Sequence, residues 1–292
     1  MTAKPRSQYA GRPESYISGK PRIPGGSKRL LITALVSVIL VLLIIRIAIS
    51  GAIDWSVMAS FFFHRAILDG LVMTLQLTVL SMLSGIILGT LLAVMSLSRY
   101  RVVNAAAMLY IWLFRGTPLL VQLIFWFNIA LVFPVIGAGN WQISVNVLIT
   151  PFVAAVLGLG LNEGAYMAEI VRAGLNAVDS GQTEAAHSIG LSRTKVMTLI
   201  VFPQALKIIT PPTANQIIGM LKNTSLVSVI GAQELLTKSE DIYARNFHVI
   251  ELLVVASLWY LILTTVASGL QYWLERHLDG KNTRNLLSET GV

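Results

Sequence analysis

Long apolar runs separated by short polar stretches organise this chain. Runs of about 20 apolar residues are what a helix needs to cross a bilayer. The pattern predicts six: Leu30 to Ile49, Ile67 to Leu97, a third from Gly116-Thr117-Pro118 to Val135, Leu148 to Ala173, Ile208 to Ile230, and Val249 to Trp273. Val102 to Arg115 reads as an interfacial stretch ahead of the third. The first run could also be a signal peptide, since Ala48-Ile49-Ser50-Gly51 resembles a cleavage site. Its length and the long tail before it favour an uncleaved anchor helix. The expected fold is thus an all-α integral membrane protein.

Composition agrees. Of 292 residues, 55% are hydrophobic and 12% charged, about half the charge of a soluble domain. The absence of cysteine excludes disulfides and thiolate chemistry. His64, His187, His248 and His277 are scattered without metal-ligand spacing. The net charge of +8 is not a nucleic-acid signal, because no compact basic domain carries it.

Charge instead sets orientation. With both termini in the cytoplasm, the inner side holds 17 of the 22 Lys and Arg, and the outer side only Arg65, Lys238 and Arg245. Residues 1–29, with seven basic side chains and Glu14, read as a mostly disordered tail. Residues 277–292 read as a cytoplasmic C-terminal tail. Trp55, Trp141 and Trp273 suit the interfacial aromatic belt.

The connection from Gly174 to Lys207 is too long for a plain bundle loop. Thr183 to Ile189 reads as a short helix stopped by Gly190, and Leu191 to Phe202 as a second helix ended by Pro203. Ala185 and Ala186 would give this knob a flat face that another protein can approach.

Polar residues inside spans are functional candidates by default. Gln216 and Asn223, seven apart, share a helix face, with Asn215 and Lys222 nearby. They could hold a substrate or only bridge helices. Pro211-Pro212 is expected to break the fifth span. Glu163 could face the pathway or pair with Lys222. Glu169 and Arg172 are spaced to pair at i and i+3, and Arg115-Gly116-Thr117-Pro118 reads as a helix break at the membrane entry.

Glu184-Ala185-Ala186, with Gly190, Ile200 and Phe202-Pro203 at fixed spacings, resembles the EAA loop of ABC importer permeases, Phe202 standing where Leu is usual. Leu113 to Gln122, Ala165 to Gly174 and Lys222 to Gly231 resemble the polar amino-acid permeases, the histidine, glutamine and arginine group. The resemblance covers about residues 66–276 and implies a five-helix core to which residues 30–49 add a helix. It implies that Glu184, Ala185, Ala186, Gly190 and Pro203 form a coupling segment docking on a separate ABC ATPase dimer. It further implies pairing with a second permease copy or related chain, an extracytoplasmic amino-acid-binding protein, and residence in the bacterial inner membrane. No phosphate loop is present, so ATP and Mg belong to the partner and the chain needs no cofactor. Gln216, Asn223, Glu163 and Asn215 are the expected substrate pathway. Two amides carry no net charge, which favours a neutral or acidic amino acid such as glutamine or glutamate. The competing readings are a passive channel, a structural membrane partner, and an intramembrane enzyme, for which catalytic motifs are lacking.

Overall fold

Capping begins several of the helices. Asp54 accepts hydrogen bonds from the Ser56 and Val57 N–H groups and starts α2 (Trp55–Phe62). His64 Nδ1 accepts from Ala66 N–H at the start of α3 (Arg65–Ser96). The computed structural model describes residues 26–49, 51, 53–138 and 141–289; the tail expected over residues 1–25 lies outside them. Helix α1 (Gly26–Ile49) belongs to a separate unit, residues 1–53. From Leu30, each side chain described on α1 is exposed, as suits a lone apolar span.

In the second unit, α4 (Arg101–Gly116) is followed by α5 (Leu119–Phe127). The two helices are bent by 103° across the break between them. A 3-10 turn (Ile129–Leu131) leads to an antiparallel hairpin, β1 (Val135–Ala138) and β2 (Trp141–Ser144). One turn of helix, α6 (Val145–Leu148), precedes α7 (Pro151–Asn176), which Thr150 caps with Pro151 in its first turn. Then come α8 (Ser180–Ser188), α9 (Arg193–Val196), a π turn (Met197–Val201) and α10 (Phe202–Asn223). A 3-10 segment (Thr224–Ile230), α11 (Leu235–Asn246) and α12 (Val249–Glu289) complete the chain. The expected C-terminal tail is thus helical to Glu289.

Among the described residues, three helical segments are long and apolar enough to cross a membrane, four with the bent pair. α7 is long enough but less apolar. The reason is its central place: it packs on α3, α4, α5 and α10, so it faces protein rather than lipid and tolerates Asn162 and Glu163. Small residues bring α3 and α7 together. A Cβ on Gly89 would lie 2.4 Å from Met167 Cβ, and one on Gly85 2.7 Å from Glu163 Cγ. Leu77, Leu123, Leu159, Met167 and Met220 form the main core.

Neither Pro203 nor Pro211-Pro212 interrupts helical backbone, contrary to the sequence expectation. Pro203 does not end a helix; Arg193 to Ile230 is continuous. The π turn closes with Phe202 N–H donating to Met197 O, and Pro203 follows at the start of α10, where a missing N–H is tolerated. Pro211 and Pro212 likewise lie inside α10 without interrupting it.

Candidate functional site

Two side chains hold the α4–α5 bend open. Gln122 Nε2 donates to Phe114 O (2.9 Å), Thr117 O (3.1 Å) and Thr117 Oγ1 (2.7 Å). Asn162 Nδ2 donates to Phe114 O (2.9 Å) and Gln122 Oε1 (3.2 Å). Tyr110 OH adds a bond to Leu161 O at 2.9 Å. The carbonyls freed by the break therefore find partners inside the protein, the condition for irregular backbone at membrane depth. Because Asn162 lies midway along α7 and bonds Phe114 O, the break sits beside the middle of that helix.

Beside the break is a cavity of about 540 Å³. Residues 115–119 line it with Asn162, Glu163 and Tyr166 of α7, Gln216 and Asn223 of α10, and Leu226. Three of the four expected pathway residues, Glu163, Gln216 and Asn223, thus meet around one space. Asn215 is not among the lining residues; its Oδ1 accepts from Gln271 Nε2 of α12 at 3.1 Å. Glu163 does not pair with Lys222. Its Oε1 accepts from Gln216 Nε2 at 3.1 Å, while Lys222 is exposed. The i, i+3 pair does form, Arg172 Nη2 to Glu169 Oε2 at 2.5 Å. Arg115 joins it at 3.6 Å from Glu169 and lies 5.4 Å from the centre of the Tyr166 ring. The first turn of α5 opens on the cavity with no side-chain cap at Pro118. Its free N–H groups and the positive end of its dipole suit an anion.

The EAA segment forms a compact cytoplasmic knob. Glu184 and Ala185 are exposed on α8, but Ala186 is buried against Val196 and Val201 and does not contribute to an outer face. Gly190 turns the chain at φ +83°, a conformation that favours glycine, and Leu191 N–H closes the turn on Ala186 O at 3.1 Å. Gln204 Nε2 bonds Gln182 Oε1 at 2.6 Å, tying α8 to α10.

Glu234 has no exposed surface and was not singled out from the sequence. Its oxygens accept from Leu236 N–H (2.9 Å), Thr237 N–H (2.8 Å), Thr237 Oγ1 (3.1 Å) and Tyr260 OH (2.5 Å). The adjacent Leu235 N–H donates to Thr74 Oγ1 at 3.2 Å. Thr74 and Tyr260 each lie roughly 15 Å along their helices from the outer ends. The start of α11 is therefore pinned between α3 and α12 by a fully hydrogen-bonded carboxylate.

Residues 85–280 match the binding-protein-dependent transport system inner membrane component family. The chain belongs to this family. It is 42% identical to an arginine transport system permease of Corynebacterium glutamicum, over 92% of this chain and 85% of that one. It is 35% identical to an L-cystine transport permease of Bacillus subtilis, covering 80% and 94%. A solved amino acid ABC transporter with histidines is 36% identical, with a TM-score of 0.68 over 77% of this chain and 99% of that one. A methionine ABC transporter at 17% identity and a TM-score of 0.59 shares the fold. The protein is an amino-acid ABC importer permease of the inner membrane: a translocation subunit, not an enzyme, its ATPase being a separate subunit.

Proposed function

We propose that this permease carries a cationic amino acid, of which arginine is the representative, through the cavity beside the α4–α5 break. The observation that carries this reading is Glu163: a carboxylate lining the cavity, hydrogen-bonded by Gln216, with no cation at ion-pairing distance among the described residues. A buried carboxylate is costly unless a positive partner meets it, and a cationic substrate supplies one. The two amides alone favoured a neutral or acidic substrate; Glu163 in the same space reverses that preference. The first turn of α5 takes the substrate carboxylate. The arginine permease relative supports this choice.

The test is direct binding of labelled arginine, glutamine and glutamate to the purified permease–ATPase complex, without binding protein. Arginine is expected to bind best. Glu163→Gln should weaken it roughly 10- to 100-fold, the loss of one charged hydrogen bond, and change glutamine binding less. Equal or tighter glutamine or glutamate binding by the wild type would sink the assignment.

We further propose that Glu184, Ala185 and Gly190 present the knob to the ATPase dimer, with Ala186 and Pro203 shaping it from within. The membrane core, residues 66–276, works with a second permease copy or related chain and an external binding protein. Residues 30–49 add a helix to it.

A further inference from the structure

The β1–β2 hairpin has two unlike faces. Cross-strand partners share a face, and the register pairs Ile136 with Ile143 and Val135 with Ser144. Trp141 lies two residues before Ile143 and so on the Ile face, whereas Gln142 and Ser144 lie on the other. Trp141 is 87% exposed, Ile136 58% and Ile143 53%, so these three apolar side chains of one face are bare. Its geometry is fixed. Gly137 has φ +115°, and a Cβ there would fall 1.8 Å from Trp141 O. Val145 N–H closes the base on Pro134 O at 3.0 Å.

What covers this face follows from its surroundings. The apolar surface continues through exposed Leu131, Val132 and Phe133 before the hairpin and Val147 after it. No charged residue occurs anywhere from Gly116 to Asn162, whereas a surface built for water or a polar protein carries charge at its rim. The hairpin joins α5 to the outer end of α7 and so lies where the bilayer ends. Tryptophan with aliphatic residues on one face, and an amide and a hydroxyl (Gln142, Ser144) beside Val135 on the other, suits the membrane–water interface.

We propose that the hairpin is an interfacial anchor: its Ile136–Trp141–Ile143 face rests in the outer-leaflet boundary between headgroups and acyl chains, and its Gln142–Ser144 face meets water. It thereby ties the outer end of α5, whose other end forms the cavity wall, to the lipid surface.

The absence of cysteine makes the test clean. Trp141→Cys, Gln142→Cys, Ile143→Cys and Ser144→Cys are each spin-labelled in the full permease–ATPase complex, reconstituted in phosphatidylethanolamine–phosphatidylglycerol vesicles. Collision with oxygen, concentrated in lipid, is compared with collision with a water-soluble nickel chelate. The oxygen-to-nickel ratio is expected to be several-fold higher at 141 and 143 than at 142 and 144. A high nickel collision rate at all four positions would overturn the proposal in favour of an aqueous hairpin. Shielding of 141 and 143 from both probes would overturn it in favour of a protein-covered face, a second copy if seen at once, the binding protein if seen only on its addition.

Discussion

Replacing Gln122 by leucine tests how the cavity wall is held. Leucine is similar in size, so packing is largely kept while polar contacts are lost. Gln122 has two amide protons shared among Phe114 O, Thr117 O and Thr117 Oγ1, and its Oε1 takes one proton from Asn162. Three effective hydrogen bonds at about 1 kcal/mol each give a loss of about 3 kcal/mol, more where a freed carbonyl finds no replacement. The measurement is the unfolding free energy in detergent micelles for wild type, Gln122→Leu, Asn162→Leu and the double mutant. The cycle should show about 1 kcal/mol of coupling between the two residues. Substrate binding should fall in Gln122→Leu, because residues 115–119 line the cavity. A loss under about 0.5 kcal/mol with no coupling would refute the claim that these amides hold the bend.

Glu234→Ala should destabilise the chain by at least about 3 kcal/mol, since it strands the Tyr260 hydroxyl and two α11 N–H groups; Glu234→Gln should lose less, and the same unfolding assay ranks them. Gly190→Leu forces a branched side chain to φ +83°, about 1–2 kcal/mol of local strain; the complex should keep substrate binding while substrate-stimulated ATP hydrolysis falls, and unchanged stimulation would count against the knob as coupling element. The Ser56 hydroxyl and the Val57 and Ser56 N–H groups hold the Asp54 carboxyl below its usual value. A lowered folded-state pKa means that the cap's contribution is present above about pH 4 and is lost as pH falls through the lowered pKa. Amide exchange at Ser56 and Val57 should show protection that fades at the acid end in wild type and not in Asp54→Asn.

The sequence carried most of the spans, the break at Gly116-Thr117-Pro118, the Gly190 stop and the Glu169–Arg172 pair, because each rests on local chemistry; the third span was misplaced, since Arg101–Gly116 is a regular helix and the apolar run after Pro118 leaves helix at Phe127 and turns into the hairpin. The failures needed rotation or context. Counting depth set Lys222 level with Glu163, but six residues on from Gln216 is about 240° of rotation, whereas Asn223, seven on, returns to within about 20°. Gln216 and Asn223 therefore turn inward together and Lys222 outward. Pro203 read as a stop because the π turn before it has no sequence signature. Gln122 sits in an apolar run, and Glu234 in what reads as a loop; neither has meaning until the bend and the start of α11 bring their partners into range. Ala186 looked like outer surface because a small residue suits a docking face and a tight core equally.

The unbroken helical segment from Arg193 to Ile230 spans 38 residues and joins the cytoplasmic knob to the cavity wall without a joint. At 1.5 Å per residue, Gln216 stands roughly 35 Å from its cytoplasmic end. Over such an arm a tilt of about 5° displaces the far end by about 3 Å, comparable with the length of a hydrogen bond. Leverage of this kind is enough to make or release a grip on a small solute, so a modest push below can be read as a change of hold above.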